Sequence, residues 1–489
     1  MLELAVFICG AAVMVLEMAG ARILAPYLGS SLVVWSALIG VILASLSAGY
    51  WWGGRLADRR PEPRLLAGLI LLASLAVAAT ALAKTMLLDF LLRYAAGPRL
   101  SAVAANLLLF APAAALLGAV SPFAVRLALS RADQAGATAG RLSALSTAGS
   151  IAGTFLAGFV LLPAMGSTSL LFLVALALAG ASLCASRTRK RGAAGAAALI
   201  LLLWIGMAAY GSHLERLGVH DQDTAYSRVL VHRSRDPRNG RDTLVMSTNP
   251  RRVQSAMYLD DPGELVLDYT RFFALAGRFV PSLRRVLVLG GGAYCAPRRL
   301  LADHPGLAVD VVELDPGVTA LARRFFGLSD MPGLAVLHED GRTFLNRDHP
   351  AYDAVLVDVF DTHYAPPFHL ATLEAARRVR SLLAPDGVVM VNCIGALAGP
   401  ASGLLRAQVA TWAAAFPQVE AYPLEDPDRP ELVQNVALVA RLDPAAPAAR
   451  ALTPEEARLL AGRRDTPRDG SAPLTDEFAP VEQLALALR

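Results

Sequence analysis

The chain has 489 residues, 55% of them hydrophobic and 18% charged, with a formal net charge of +4. That is too long for one ordinary domain and too apolar for a wholly soluble enzyme. The small net charge, with arginines set between apolar segments, argues against a nucleic-acid surface.

The apolar residues concentrate before about residue 212. Two parts are therefore expected: residues 1–212 as an α-helical transmembrane domain and residues 213–489 as a soluble domain. Met1 to Gly20 lacks a basic leader and a small-residue cleavage signal, so it reads as a retained first span. Seven stretches approach the length needed to cross a hydrocarbon core of about 30 Å. They are Leu4 to Leu24, Leu32 to Gly53, Leu65 to Ala83, Ser101 to Val120, Ser143 to Pro163, Ser169 to Ala185 and Ala193 to Tyr210. Between the third and fourth, MLLDFLLRYAAG mixes charge with leucine and is expected in the interface. Glu17 and Arg22 are costly against lipid, so they are expected to face the bundle interior or to pair with each other or a neighbour. Small residues from Gly149 to Gly153 suit close helix packing.

Basic residues cluster in three loops: Arg55 to Arg64, Arg126 to Arg141, and Arg187 to Arg191. Those loops should be cytoplasmic, with the N-terminus inside. Seven full crossings would then leave the soluble part outside. Either the last segment does not cross, or the count is off by one, or the domain works outside. Because nucleoside cofactors are supplied in the cytosol, a cytoplasmic domain is the expectation.

The soluble part opens on TAYSRVLVHR and RDTLVMST, two strand-like runs joined by the turn DPRNG. A helix is expected from Leu265 to Phe279. The apolar run Val286 to Leu289 then ends in Gly290, Gly291 and Gly292, followed by a helix and a second apolar run, Val309 to Val312, that closes on Glu313. Strand, glycine turn, helix, strand and terminal acid are the parts of a βαβ nucleoside site, in which a ligand approaches the turn and the acid meets the ribose hydroxyls. GGGAYC does not read as GxGxxG, which disfavours NAD. Further strands end at Asp340-Gly341, Asp358 and Asn392, alternating with helices from Val318 to Phe326, Leu370 to Leu383 and Ser402 to Phe416. That alternation predicts a parallel, doubly wound, Rossmann-like sheet whose ligands bind beyond the carboxyl ends of the strands.

AVLVDVFD carries the most chemistry. Asp358 closes a buried strand and Asp361 follows three residues on. Two carboxylates near a nucleoside can bind a cationic amine and accept its proton. The alternative is a turn-capping Asp361 and an Asp358 oriented by backbone amides. His363 and His369 flank the loop and receive no role. Four cysteines, Cys9, Cys184, Cys295 and Cys393, make no C-x-x-C pair and no Cys/His spacing, so neither a disulfide framework nor a metal site is expected.

The order of VQS, the triple-glycine turn, VELD, EDGRTFL, YDAVLVDVFD and LLAPDG resembles the spermidine synthase, or polyamine aminopropyltransferase, family over about Thr224 to Arg441. LEMAGARILAPYLGSS, GGRLADRR and LTDEFAPVEQL extend the likeness to the membrane-fused members. The resemblance implies a class I methyltransferase-like domain with an N-terminal β-hairpin region, joined to about seven transmembrane helices. It implies that Gln254 contacts the nucleoside, Glu313 the ribose, and Asp340 with Gly341 the adenine. Asp358 would be the base and Asp361 would hold the amine. The donor would be decarboxylated S-adenosylmethionine, with no tightly bound cofactor and no metal. The implied partners are that donor, an amine acceptor such as putrescine and the lipid bilayer of the cell membrane, with no nucleic acid; a homo-oligomer is left open.

Three departures stand out. Ala293 replaces the family's aspartate after the glycine turn. Tyr269, Thr270 and Arg271 replace its Tyr-His/Gln-Glu triplet, with Tyr269 kept as a substrate contact, and Asn392, Cys393 and Ile394 replace its Gly-Glu. Two other functions therefore compete with aminopropyl transfer. One is an S-adenosylmethionine methyltransferase, with Arg271 or Arg298 attracting the donor carboxylate. The other is a transporter or sensor with a degenerate nucleoside domain, to which GGRLADRR, Glu17 and Arg22 would belong.

Overall fold

The structure is a computed structural model, and it describes residues 1–94, 97–129, 134–186, 190–249, 253–359, 367–443, 452–465 and 470–488. It divides into two compact units, one of Met1–Leu217 with Asp221–Arg228, the other of Gly218–His220 with Val229–Arg489.

The first unit is helical: α1 (Leu2–Leu28), α2 (Leu32–Arg59), α3 (Pro63–Tyr94), α4 (Pro98–Leu109), α5 (Ala111–Gly118), α6 (Val120–Ala128), α7 (Ala135–Leu156), α8 (Leu162–Ala164), α9 (Ser167–Ala185) and α10 (Lys190–Arg216). A π-helical turn, Ala157–Leu161, joins α7 to α8. Among the described residues, seven helical stretches have the length and composition to cross a membrane. The fourth, Ala111–Ala128, is displaced from the expected Ser101 to Val120, because α4 stops at Phe110 and Pro112 starts a new helix, where its missing N–H costs nothing. MLLDFLLRY continues α3 to Tyr94.

Small residues let α1 and α7 touch backbone to backbone, so that a Cβ on Gly149 would sit 2.1 Å from the Phe7 carbonyl oxygen. Glu17 and Arg22 do not pair as one alternative expected. Arg22 donates to the carbonyls of Thr224 and Ala225. Those residues belong to the segment Asp221–Arg228, which is held by α1 and α9. Arg228 binds Asp221 and the Tyr27 hydroxyl, and Asp223 accepts from the amide of Ser167 at 2.7 Å and its hydroxyl at 3.0 Å. Lys84, only 8% exposed, donates to that same hydroxyl at 2.9 Å.

β1 (His220–Asp223) belongs to the second unit at His220 and to the first at Asp221 to Asp223; after it come β2 (Arg228–Arg235), β3 (Asp242–Ser247) and β4 (Ser255–Tyr258). β2, β3 and β4 form an antiparallel meander that turns at DPRNG as expected. The expected helix from Leu265 is two short ones, α11 (Asp268–Phe273) and α12 (Ala276–Phe279). There follow β5 (Arg285–Leu289), α13 (Cys295–Asp303), β6 (Ala308–Glu313), α14 (Pro316–Phe325), β7 (Leu334–His338), α15 (Gly341–Leu345), β8 (Tyr352–Val357), α16 (Leu373–Ser381), β9 (Leu383–Gly395), α17 (Gly403–Ala415), β10 (Gln418–Pro423), β11 (Gln434–Arg441), α18 (Pro454–Ala461), β12 (Arg464–Asp465) and α19 (Val481–Ala485).

The strand order is β12-β10-β11-β9-β8-β5-β6-β7. The sheet is mixed rather than all parallel. β5 to β9 run parallel, whereas β11 pairs antiparallel with β9 and β10 antiparallel with β11. The apolar runs Val286 to Leu289 and Ala354 to Val357 are buried, as strands covered on both faces must be.

Candidate active site

β5 lies between β6 and β8, with Leu289 level with both Val312 and Val357. One residue further along, the glycine turn therefore falls between Glu313 and Asp358, at the carboxyl edge where open α/β sheets bind ligands. Gly290 has φ +91°, and a Cβ there would stand 2.3 Å from the Asp358 carbonyl oxygen. At Gly291 a Cβ would meet the Tyr294 ring at 2.6 Å. These two glycines are required by the protein's own atoms, before any ligand arrives. Gly292 continues the turn at φ +50°.

Glu313 is 9% exposed. One carboxylate oxygen accepts from the Gly291 and Gly292 amides at 2.8 and 3.3 Å, and the other from the Asp315 amide at 2.9 Å. Burial pushes this carboxyl above its ordinary value, against the pull of the Asp315, Gly291 and Gly292 amides. A carboxylate has room for about four hydrogen bonds, so about one more can still be received.

Asp358 donates its own amide to the Leu289 carbonyl at 2.8 Å, which fixes it to β5. Its Oδ1 accepts from the Asn392 side-chain amide at 3.0 Å, and Asn392 Oδ1 accepts from Asn435 at 2.8 Å. Asn435 was not legible as a site residue, because its strand joins β9 only through long-range antiparallel pairing. Asp361 lies outside the described residues, as does His363.

Asp340 caps α15 by accepting from the Thr343 amide at 2.9 Å, and its other oxygen lies 3.1 Å from His369 Nε2. Partial burial raises its carboxyl, but the Thr343 amide and His369 outweigh that and hold it below the usual range. His369 thus gains a partner that its sequence context did not reveal. Gly341 follows as the first residue of α15.

The hairpin region closes on the glycine turn. Ser255 Oγ accepts from the Ala293 amide at 3.1 Å, and the Tyr269 hydroxyl donates to the Gln254 carbonyl at 2.8 Å. Gln254 and Tyr269 are therefore joined beside the turn. Ala293 is fully buried in the apolar cluster with Val229, Val231 and Met246. Arg271 donates to the Leu265 carbonyl at 2.7 Å and binds Glu455 at 2.9 Å, while Arg298 donates to the Phe326 carbonyl. Both guanidinium groups are engaged in holding the fold.

The family profile of the spermine/spermidine synthase domain matches residues 270–394, which include the glycine turn, Glu313, Asp340 and Asp358. Across 96% of this chain and 91% of its own length, polyamine aminopropyltransferase 2 of Streptomyces coelicolor is 29% identical. The chain is thus similar to spermidine synthase-like proteins. The polyamine aminopropyltransferase of Vibrio vulnificus is 29% identical over 36% of this chain and 58% of that protein. Matches to two other aminopropyltransferases, from Bifidobacterium longum and S. coelicolor, span 38% and 22% of those proteins, so this spermidine synthase-like chain covers less than two thirds of these three curated relatives. A solved probable spermidine synthase from Corynebacterium glutamicum superposes with a TM-score of 0.42 at 21% identity, covering 51% of this chain and 93% of that one.

Proposed function

We propose that the α/β unit transfers an aminopropyl group from decarboxylated S-adenosylmethionine to a primary amine, and that the helical unit is embedded in a membrane. The observation that carries the chemistry is the convergence of two acids on one glycine turn. Glu313 lies on its amides, and Asp358 presses its carbonyl against Gly290 from the neighbouring strand.

In this reading Glu313 receives the ribose hydroxyls, Asp340 and Gly341 flank the adenine, and Gln254 with Tyr269 closes the pocket from the hairpin side. Asp361 assists in holding the amine. Asp358 takes a proton from the amine's ammonium. The freed lone pair attacks the methylene beside the sulfonium, a C–N bond forms, and the C–S pair returns to sulfur as a neutral thioether leaves. The alkylated nitrogen leaves as the ammonium, and Asp358 returns the proton it took to solvent. Incubating the full chain with decarboxylated S-adenosylmethionine and putrescine should release the thioether nucleoside. Transfer from the carboxylated donor alone would favour a methyltransferase, a reading that keeps the missing aspartate at Ala293 but loses the added attraction of Arg271 and Arg298, which are engaged elsewhere. A transporter or sensor remains the second reading. A cavity of about 600 Å³ in the helical unit, lined by Tyr50, Asp58, Ser121, Arg126, Ser146 and Thr147 among others, favours it.

The helical geometry also supports a membrane orientation. Glu3, at the start of α1, pairs with Arg141 in the second turn of α7, whereas Arg22 and Tyr27, roughly 30 and 36 Å further along α1, hold the segment after α10. The chain thus leaves the helical unit at the end opposite the basic loops. Under the positive-inside bias this favours a non-cytoplasmic α/β unit, the reverse of the expectation from cofactor supply. Burial pushes the Cys295 thiol up to about 11, with Arg298 opposing, so it is a poor labelling target. A protease-sensitive tag after Arg489, cleaved in intact cells, supports this orientation; cleavage in lysed cells only refutes it.

A further inference from the structure

We infer that Asn392 and Asn435 are positioning residues for Asp358, an inference that rests on Asp358 acting as the base. Asn392 is 4% exposed, deep in β9. Its Nδ2 donates to Asp358 Oδ1 at 3.0 Å, and its Oδ1 accepts from Asn435 Nδ2 at 2.8 Å. A side-chain amide has one accepting end and one donating end. Because Asn435 occupies the accepting end, Asn392 presents its donating end to the carboxylate. Asn435 reaches this place because β11 runs antiparallel to β9, with Asn435 level with Ile394 and Ala437 level with Asn392.

The residue type matters. An arginine or lysine at this place would orient Asp358 equally well, but it would cancel the negative charge that attracts an ammonium and would weaken the base. A neutral amide fixes the direction of the carboxylate and leaves its charge in place. The second asparagine prevents the first from turning its carbonyl toward Asp358, where two acceptors would repel. The pair therefore acts on the turnover step and not on capture of the nucleoside, whose contacts lie across the glycine turn.

The test uses the full-length chain purified with its helical unit. Asn435→Leu should lower kcat by about tenfold or more, within the range that a small misplacement of a reacting group produces, while the donor KM and the unfolding midpoint stay near wild type. Asn435→Ser, which keeps a hydroxyl donor, should recover most of that loss. A structure of Asn435→Leu should show the 3.0 Å contact between Asn392 and Asp358 broken. The inference is overturned by unchanged kcat in the folded Asn435→Leu protein, by Asn435→Ser being as slow as Asn435→Leu, or by survival of the contact. Should the wild-type chain transfer no aminopropyl group, the proposed function falls. The contact in the variant structure then still decides whether Asn435 orients this pair.

Discussion

Lys84 in the helical unit and Asp358 at the sheet edge are both charged groups placed by long-range contacts, yet the two are stabilised in opposite ways. Lys84 donates to Ser167, and the negative Asp223 closes the same knot, so opposite charges meet. Arg228 and Asp221 repeat that arrangement. At the sheet edge, Asp358 accepts from an asparagine and Glu313 from three backbone amides. Away from that edge, the α/β unit pairs acids with cations, as Arg285 does with Asp310 and Arg238 with Asp236. A buried acid matched by a cation is electrically complete. Glu313, whose carboxylate rests on backbone amides, is instead left for a ligand to complete.

The largest expected effect breaks the comparison if it fails. Asp358→Asn keeps the shape and removes the charge, and it should reduce aminopropyl transfer by about 10³-fold, the scale of losing a proton acceptor, with the circular dichroism spectrum unchanged. Full function in that variant would favour the transporter reading. On the helical side, Asp223→Ala leaves Lys84 buried without its counter-charge and should destabilise that unit by about 3 kcal/mol, read as a lowered unfolding midpoint in detergent. An unchanged midpoint would mean that Lys84 is held by Ser167 alone. Gly290→Ala comes next. Its Cβ would strike the carbonyl of Asp358 itself, and the backbone already has φ +91°, so a loss of about 2 kcal/mol in stability should accompany a fall in rate. A normal rate would show that the base tolerates displacement.

What could be read in advance follows from how local each cause is. The glycine turn, Glu313 closing the strand after the next helix, and long apolar helices are set by neighbouring residues, and the structure has them among the described residues. The mixed sheet was missed because β10 and β11 are set among prolines, and the antiparallel pairing of β11 with β9 is fixed by residues distant in the chain. Asn435 was missed for the same reason. Arg271 looked like a cation facing an amine site, but Glu455, which binds it, comes from a helix 184 residues later. The displaced fourth span had a local sign, Pro112, which apolar length outweighed.

The smallest effect sharpens the comparison within the edge itself. Burial holds the Glu313 carboxyl above its ordinary value, so the folded chain keeps this proton at pH values where the unfolded chain has lost it. The sign follows from linkage: stability from this group is fully present below the ordinary glutamate value, declines as pH rises through the raised value, and is level above it. Glu313→Gln carries no charge at any pH and should flatten that decline in a series of thermal unfolding curves. A sulfonium nucleoside favours the ionised form, so adding one to the wild-type protein should release protons on binding, measurable by calorimetry in buffers of different ionisation heat. An identical pH slope in the Glu313→Gln variant would mean that the three amides outweigh burial, and that Glu313 is already ionised before any ligand reaches the glycine turn.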